Sequence, residues 1–310
     1  MSPALKLGTR GSQLALRQAE WVRTALAARG VATELVIIRT RGDAEVDRPL
    51  HQLEGKGFFT REIEDALLDG RIDVAVHSLK DLPTRLPDAL ALAAVPPRAD
   101  PCEALVARAA NVRTIADLPA GARIGTSSLR RVAQLRHLRP DLEIVGLRGN
   151  VPTRVRKVQD GRDGLAAALL ACAGLDRLAL GGDIAARLDP LEVMPAPGQG
   201  ALGLELRRDD RQARAALAPL EDPVSARQVA AERSLLAALE GGCQAPVAAC
   251  CRTGTGEGAG AGRLFGRVTA PDGAVQLTAS ADIDARAPAA AGVVVADLLR
   301  AQGASRLLGR

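Results

Sequence analysis

Leu5-Lys6-Leu7-Gly8-Thr9-Arg10-Gly11-Ser12-Gln13 passes from a short apolar strand through a glycine-bearing turn into an amphipathic helix that runs to Ala28. Strand, turn and helix make the start of a βα unit. A helix opening at Ser12 offers a capping hydroxyl and free backbone N–H groups at its positive dipole end. The same order returns in Arg123-Ile124-Gly125-Thr126-Ser127-Ser128-Leu129. Further landmarks repeat in matched sequence. Strand Glu34–Arg39 leads to Arg41-Gly42-Asp43, as strand Glu143–Val145 leads to Arg148-Gly149-Asn150. Gly70-Arg71 opens the strand Val74–Val76, as Gly161-Arg162 opens the apolar run Leu165–Leu170. Two copies of one pattern predict two similar α/β domains forming a hinged cleft.

The linkers are legible as proline- and glycine-rich stretches, Pro96–Pro101 and Pro190–Gly200. A strand-like Ala201–Leu206 follows the second, so the chain is expected to cross back and complete the first domain. This gives domain 1 over residues 1–99 with 200–219 and domain 2 over 100–199. From 220 to 310 the pattern changes to helix Ser225–Leu239, strand Val247–Cys251, a hairpin around Pro271-Asp272-Gly273 and a last helix Gly292–Gln302. That is a smaller α+β C-terminal domain.

Composition narrows the function. The 310 residues carry a net charge of +5, yet only four of the 41 basic residues are lysines, leaving 37 arginines. Genomic bias toward Ala, Gly and Arg is one explanation. The other is a ligand with several carboxylates or phosphates, which arginine forks bind bidentately. Nucleic acid fits poorly, because one Trp, three Phe and no Tyr leave few stacking platforms. No stretch reads as a signal peptide or a membrane span, so a cytoplasmic protein without membrane association is expected. The five cysteines lack metal-ligand spacing and a disulfide pattern; no metal site is expected, and reduced thiols are.

Two stretches stand out for chemistry. Leu239-Glu240-Gly241-Gly242-Cys243-Gln244 ends a helical run in two glycines and places a thiol on a tight loop, although a free Cys is also commonly a small buried hydrophobe. Val76-His77-Ser78-Leu79-Lys80-Asp81-Leu82-Pro83 sits at the C-terminal end of a strand, where open α/β sheets put ligands. Lys80-Asp81 reads either as a solvated surface pair or as a catalytic acid that also stabilises a developing cation. His77 reads as structural. Ser and Thr at the two helix starts read either as caps or, with Arg10, Arg130, Arg131, Arg148 and Arg154, as two anion-binding walls. Asp47–Gly57 is long, polar and glycine-bearing, as a lid would be.

Taken together, His77–Pro83, Gly125–Arg131, Leu147–Val151, Pro197–Gly200 and Glu240–Gln244 resemble the porphobilinogen deaminase family, the hydroxymethylbilane synthases. The resemblance runs from Leu5 to the last helix. It implies a type II periplasmic-binding-protein-like fold and a transferase that joins four porphobilinogen molecules, with loss of ammonia, on a dipyrromethane cofactor attached covalently through Cys243. It further implies Asp81 as catalytic residue. Cofactor and substrate carboxylates would be held by Arg10, Ser12, Lys80, Thr126, Ser128, Arg130, Arg131, Arg148, Arg154, Arg177 and Gln199. A monomer is expected. Three positions depart from the family pattern: Cys102, Arg61 and Glu54. The competing class is a solute-binding protein, since hinged α/β clefts often only bind; the placed Cys243 argues against it.

Overall fold

The computed structural model describes residues 4–40, 60–240, 245–253 and 262–309. Cys243, the expected lid Asp47–Gly57, the glycine-rich stretch 254–261 and Glu54 lie outside the described residues. Up to residue 99 the order is β1 (Leu5–Arg10), α1 (Gln13–Ala27), β2 (Thr33–Ile38), α2 (Arg61–Leu68), β3 (Val74–Ser78) and β4 (Leu90–Ala94). Residues 100–199 carry β5 (Glu103–Ala107), β6 (Arg123–Gly125), α3 (Leu129–Leu138), β7 (Glu143–Val145), α4 (Val151–Gln159), β8 (Leu165–Ala171), α5 (Cys172–Arg177) and β9 (Ala186–Arg187). Then come β10 (Leu202–Arg207), α6 (Arg211–Leu217), α7 (Pro223–Ala238), β11 (Val247–Thr253), β12 (Gly262–Thr269), β13 (Gln276–Asp282), α8 (Pro288–Ala301) and α9 (Ala304–Leu307).

The chain divides into two compact units, residues 1–99 with 200–226 and residues 100–199 with 227–310. The first holds a five-stranded sheet of order β2-β1-β3-β10-β4, in which β2, β1 and β3 are parallel and the returning β10 runs antiparallel to both neighbours. The second unit repeats that plan with order β7-β6-β8-β5-β9, again three parallel strands followed by an antiparallel one. A parallel triplet extended by a strand from across a linker is the type II periplasmic-binding-protein-like arrangement. Both faces of each sheet are covered, as parallel strands require. Leu7, Val22, Leu26, Val74 and Leu204 pack on one face of the first sheet, and Ile63, Leu67, Ile72 and Leu90 on the other. In the second sheet the faces are Leu105, Ile124, Leu135 and Leu169 against Val106, Val155, Val158 and Leu170.

The antiparallel sheet β11-β12-β13 also belongs to the second unit, with its own core of Leu235, Leu239, Val268, Val295 and Leu299. Helix α7 stops at Ala238, and Glu240 takes a left-handed φ of 49°. Helix α8 begins at Pro288, a turn ahead of the sequence reading, because proline is compatible with the first helical turn.

Candidate active site

In the first unit β1 and β3 are parallel neighbours, so the turns after them share one sheet edge. Arg10 ends β1, and Ser12 Oγ accepts from Ala15 N at 3.3 Å, capping α1. Here the capping reading of Ser12 is what the geometry shows. After β3 the chain makes a single 3₁₀ turn, Leu79–Asp81. Leu79 and Leu82 are buried, Leu79 N donates to Ala201 O at 3.0 Å and Leu82 N to Leu79 O at 3.2 Å. Gln18 of α1 donates from Nε2 to Ser78 Oγ at 2.8 Å. Anchored on both sides, the turn holds Lys80 and Asp81 half-buried.

Beneath that turn His77 is buried with Nε2 3.0 Å from Glu205 Oε2, which fits the structural reading of this histidine. Glu64 of α2 lies close to the same charges: burial, then the charge of Glu205, push its carboxyl above the ordinary carboxylate value.

In the second unit β7, β6 and β8 are parallel neighbours, which brings the turns bearing Thr126–Ser128, Leu147–Asn150 and α5 to one edge. This helix start differs from the first. Ser128 is the N-cap residue of α3 yet makes no side-chain capping bond, while Ser127 Oγ is occupied by both Leu147 N at 3.0 Å and Leu147 O at 2.9 Å. The Arg148 loop is fixed from outside: Arg154 Nε donates to Gly149 O at 2.7 Å, and Lys157 Nζ to Arg148 O at 3.1 Å. Asn150 caps α4 through Thr153 N at 2.9 Å. Gly149 has a φ of 110°, and a Cβ there would come within 2.8 Å of Thr153, so only glycine suits this turn. Arg177 ends α5, where burial pushes its guanidinium down to about 10, still cationic at neutral pH.

Three expected ligand residues have other commitments. Arg130 and Arg131 are only 6% and 7% exposed, and both bond the fully buried Glu103: Arg130 Nη2 to Oε1 at 2.7 Å, Arg131 Nη2 to Oε2 at 2.6 Å. Arg130 Nη1 also donates to Met194 O at 2.6 Å and Arg131 Nη1 to Leu169 O at 2.9 Å. Burial lowers the Arg130 pKa, with Glu103 pulling it up and Arg131 pushing it down. Gln199 is fully buried and donates from Nε2 to Pro101 O at 2.8 Å, tying the linker residues together. Sequence reasoning did not see Glu103. A lone acid opening the apolar strand Glu103-Ala104-Leu105-Val106-Ala107 was the available signal, because buried carboxylates are almost always paired.

The remaining cysteines are poor nucleophiles. Burial first, and Asp100 next, push both Cys102 and Cys172 up to about 12. Cys250 is buried against Pro190 O and Cys251 Sγ lies 3.4 Å from Gln228 O. Among the described residues no group of His, Cys, Asp and Glu is arranged to hold a metal, and no helix is long and apolar enough to cross a membrane.

Residues 5–215 match the family described as "Porphobilinogen deaminase, dipyromethane cofactor binding domain", and residues 226–301 match "Porphobilinogen deaminase, C-terminal domain". The chain belongs to the porphobilinogen deaminase family. It is 48% identical to porphobilinogen deaminase of Moorella thermoacetica over 306 residues, covering 98% of this chain and 95% of that one. It is 47% identical to porphobilinogen deaminase of a Roseiflexus species over 314 residues, covering 99% of each. Among solved structures, a periplasmic substrate-binding protein of an ABC transporter from Coxiella burnetii aligns over 74% of this chain and 96% of its own, at 15% identity with a TM-score of 0.42. The chain is thus a transferase of tetrapyrrole biosynthesis that polymerises porphobilinogen on a dipyrromethane cofactor.

The donors fit such a cofactor, whose rings each carry two carboxylates. Ser128 and the first-turn N–H groups of α3 are not consumed by capping, and Arg131 Nε is buried with no hydrogen-bond partner among the described residues.

Proposed function

We propose that Asp81 is the catalytic carboxylate of this chain, that Cys243 carries the cofactor, and that the arginines and helix starts hold its carboxylates. The observation behind the first assignment is the braced 3₁₀ turn, which fixes a half-buried carboxylate at the C-terminal edge of β3. When bound, the cofactor would supply a free, nucleophilic pyrrole carbon as the acceptor for the first incoming substrate. Asp81 has two tasks: as an acid it passes a proton to the departing amine, and as an anion it stabilises the cation left on the pyrrole. Lys80 and Arg10 stand at the same sheet edge as cationic partners for substrate acetate and propionate.

In the second unit Thr126, Ser128, Arg148, Arg154 and Arg177 hold cofactor carboxylates through hydroxyls, helix-start N–H groups and guanidinium forks. Arg130 and Arg131 contribute to this wall while anchored on Glu103, and Gln199 serves through the linker it ties. Cys243 is assigned partly by elimination, since Cys102, Cys172, Cys250 and Cys251 sit in surroundings that suppress or occupy the thiol. The reading extends to a cytoplasmic monomer that engages no nucleic acid, consistent with the scarcity of aromatic side chains.

Single-turnover ammonia release from protein already bearing its cofactor tests Asp81. Asp81→Asn keeps the shape but removes both charge and proton, so release slows by about 10² to 10⁴ while substrate binding survives. Near-normal release by that variant would return Lys80-Asp81 to a surface pair.

A further inference from the structure

Strand β10 packs Leu202, Leu204 and Leu206 into the core on one face of the first sheet, while its alternate positions hold Gly203 and the fully buried Glu205. Neither is the aliphatic residue that a strand covered on both faces calls for. Both meet the end of β3. Gly203 stands directly opposite His77 in the register and Glu205 opposite Ala75, and Glu205 Oε2 lies 3.0 Å from His77 Nε2. Ala201 O accepts from Leu79 N at 3.0 Å, so the chain of β10 still holds its partner where β3 has ended and the 3₁₀ turn has begun.

Gly203 is fitted to the first residue of that turn. Its φ is not left-handed, so the position calls for space and not for backbone freedom. A Cβ there would lie 2.7 Å from Cδ1 of the fully buried Leu79 and 3.0 Å from Leu92 Cδ1 of β4, whereas ordinary contact begins at 3.4 Å. The neighbouring bonds decide what yields when the space is filled. Strand β3 is tied to β10 through His77–Glu205 and to α1 through Gln18 Nε2 and Ser78 Oγ at 2.8 Å, and residues 74–78 all lie in the ladder with β10. Leu79–Asp81 is a single 3₁₀ turn, whose hydrogen bonds are poorer than those of a ladder, so the displacement goes into the turn.

We infer that Gly203 is a positioning residue for the reaction: its missing side chain is the notch that seats Leu79, and Leu79 sets where Asp81 stands. This rests on the proposed role of Asp81. Misplacing a reacting group by about an ångström can cost up to a hundredfold in rate, and a fraction of that shift, carried two residues along the turn, costs about tenfold.

The test is single-turnover ammonia release from protein already bearing its cofactor, followed over a range of porphobilinogen concentrations. Gly203→Ala lowers the maximal rate about tenfold and leaves the half-saturating concentration within about twofold of the unaltered value. Leu79→Val shortens the side chain, leaves the notch unfilled and also slows release. Combining the two changes adds one methyl where one methylene is lost, and the double variant returns to within about threefold of the unaltered rate, faster than either single variant. Lowered thermal stability in Gly203→Ala at an unaltered maximal rate would make the notch a matter of packing only and overturn the inference. A double variant no faster than Leu79→Val would overturn it too, and that comparison stands even if Gly203→Ala fails to fold. Asp81→Asn keeps the two readings apart: near-normal release by Asp81→Asn overturns the role of Asp81 and this inference with it, whereas slow release by Asp81→Asn beside normal release by Gly203→Ala overturns this inference alone.

Discussion

Replacing Arg130 by leucine tests whether the paired arginines of α3 hold the fold as well as the ligand. The change removes the 2.7 Å bond to Glu103 Oε1 and the 2.6 Å bond to Met194 O. Met194 O is not abandoned, since Gln134 Nε2 remains 3.0 Å away. Glu103 decides the magnitude. It has no exposed surface and keeps the Arg131 bond at 2.6 Å, so its charge stays buried with part of its compensation gone. Removing one partner of a buried ion pair costs about 3 to 5 kcal/mol, and the surviving arginine puts this case near the lower figure, ~3 kcal/mol. At about 2 to 4 °C per kcal/mol for a unit of this size, Tm falls by roughly 6 to 12 °C. Thermal unfolding followed by circular dichroism, on cofactor-free protein so that ligand loss does not contribute, reads the effect directly. From sequence alone the same variant is expected to fold normally and fail only in ligand binding. A Tm within about 2 °C of the unaltered protein would refute the buried-cluster reasoning.

Other outcomes follow from the same geometry. Asp81→Glu keeps the charge on a longer stem and retains more turnover than Asp81→Asn in the ammonia-release assay. Cys250→Ser and Cys251→Ser leave the cofactor attached, which intact mass shows; loss of the adduct in either would move the attachment point into β11. Glu64→Gln raises Tm near neutral pH and leaves it unchanged in acid. The sign follows from burial and Glu205 raising the folded pKa of Glu64: the folded state holds that proton more tightly, so the group supports folding below the ordinary carboxylate range and opposes it as pH rises through the raised value. A lower Tm for Glu64→Gln at neutral pH would contradict that.

The doubled α/β plan was visible in the sequence because it is written in local signals: a glycine turn, a Ser or Thr at a helix start and an apolar strand, each in matched order. What escaped were elements specified by distant partners. Strand β4 is Leu-Ala-Leu-Ala-Ala, a composition that favours a helix in isolation, and it is extended because it completes the sheet against β10. Strand β5 begins with a buried Glu103 whose meaning depends on two arginines more than twenty residues away. The two helix starts look alike as sequence, yet Ser12 caps its helix and Ser128 does not. Arg130, Arg131 and Gln199 carried a ligand-binding signal by resemblance, and only their burial shows the second commitment. The Arg148 loop, by contrast, is tied down in part by Arg154 and Lys157, both within ten positions of it.

The central claim is that one thiol, Cys243, holds a dipyrromethane on which this transferase builds its product. Intact-mass measurement of the purified chain tests it most directly. The account predicts that the unaltered protein is heavier than its sequence by one covalently bound dipyrromethane and that Cys243→Ser has the mass of its sequence alone. A normal adduct on Cys243→Ser, or an unaltered protein at its bare sequence mass when isolated from cells making porphobilinogen, would contradict it.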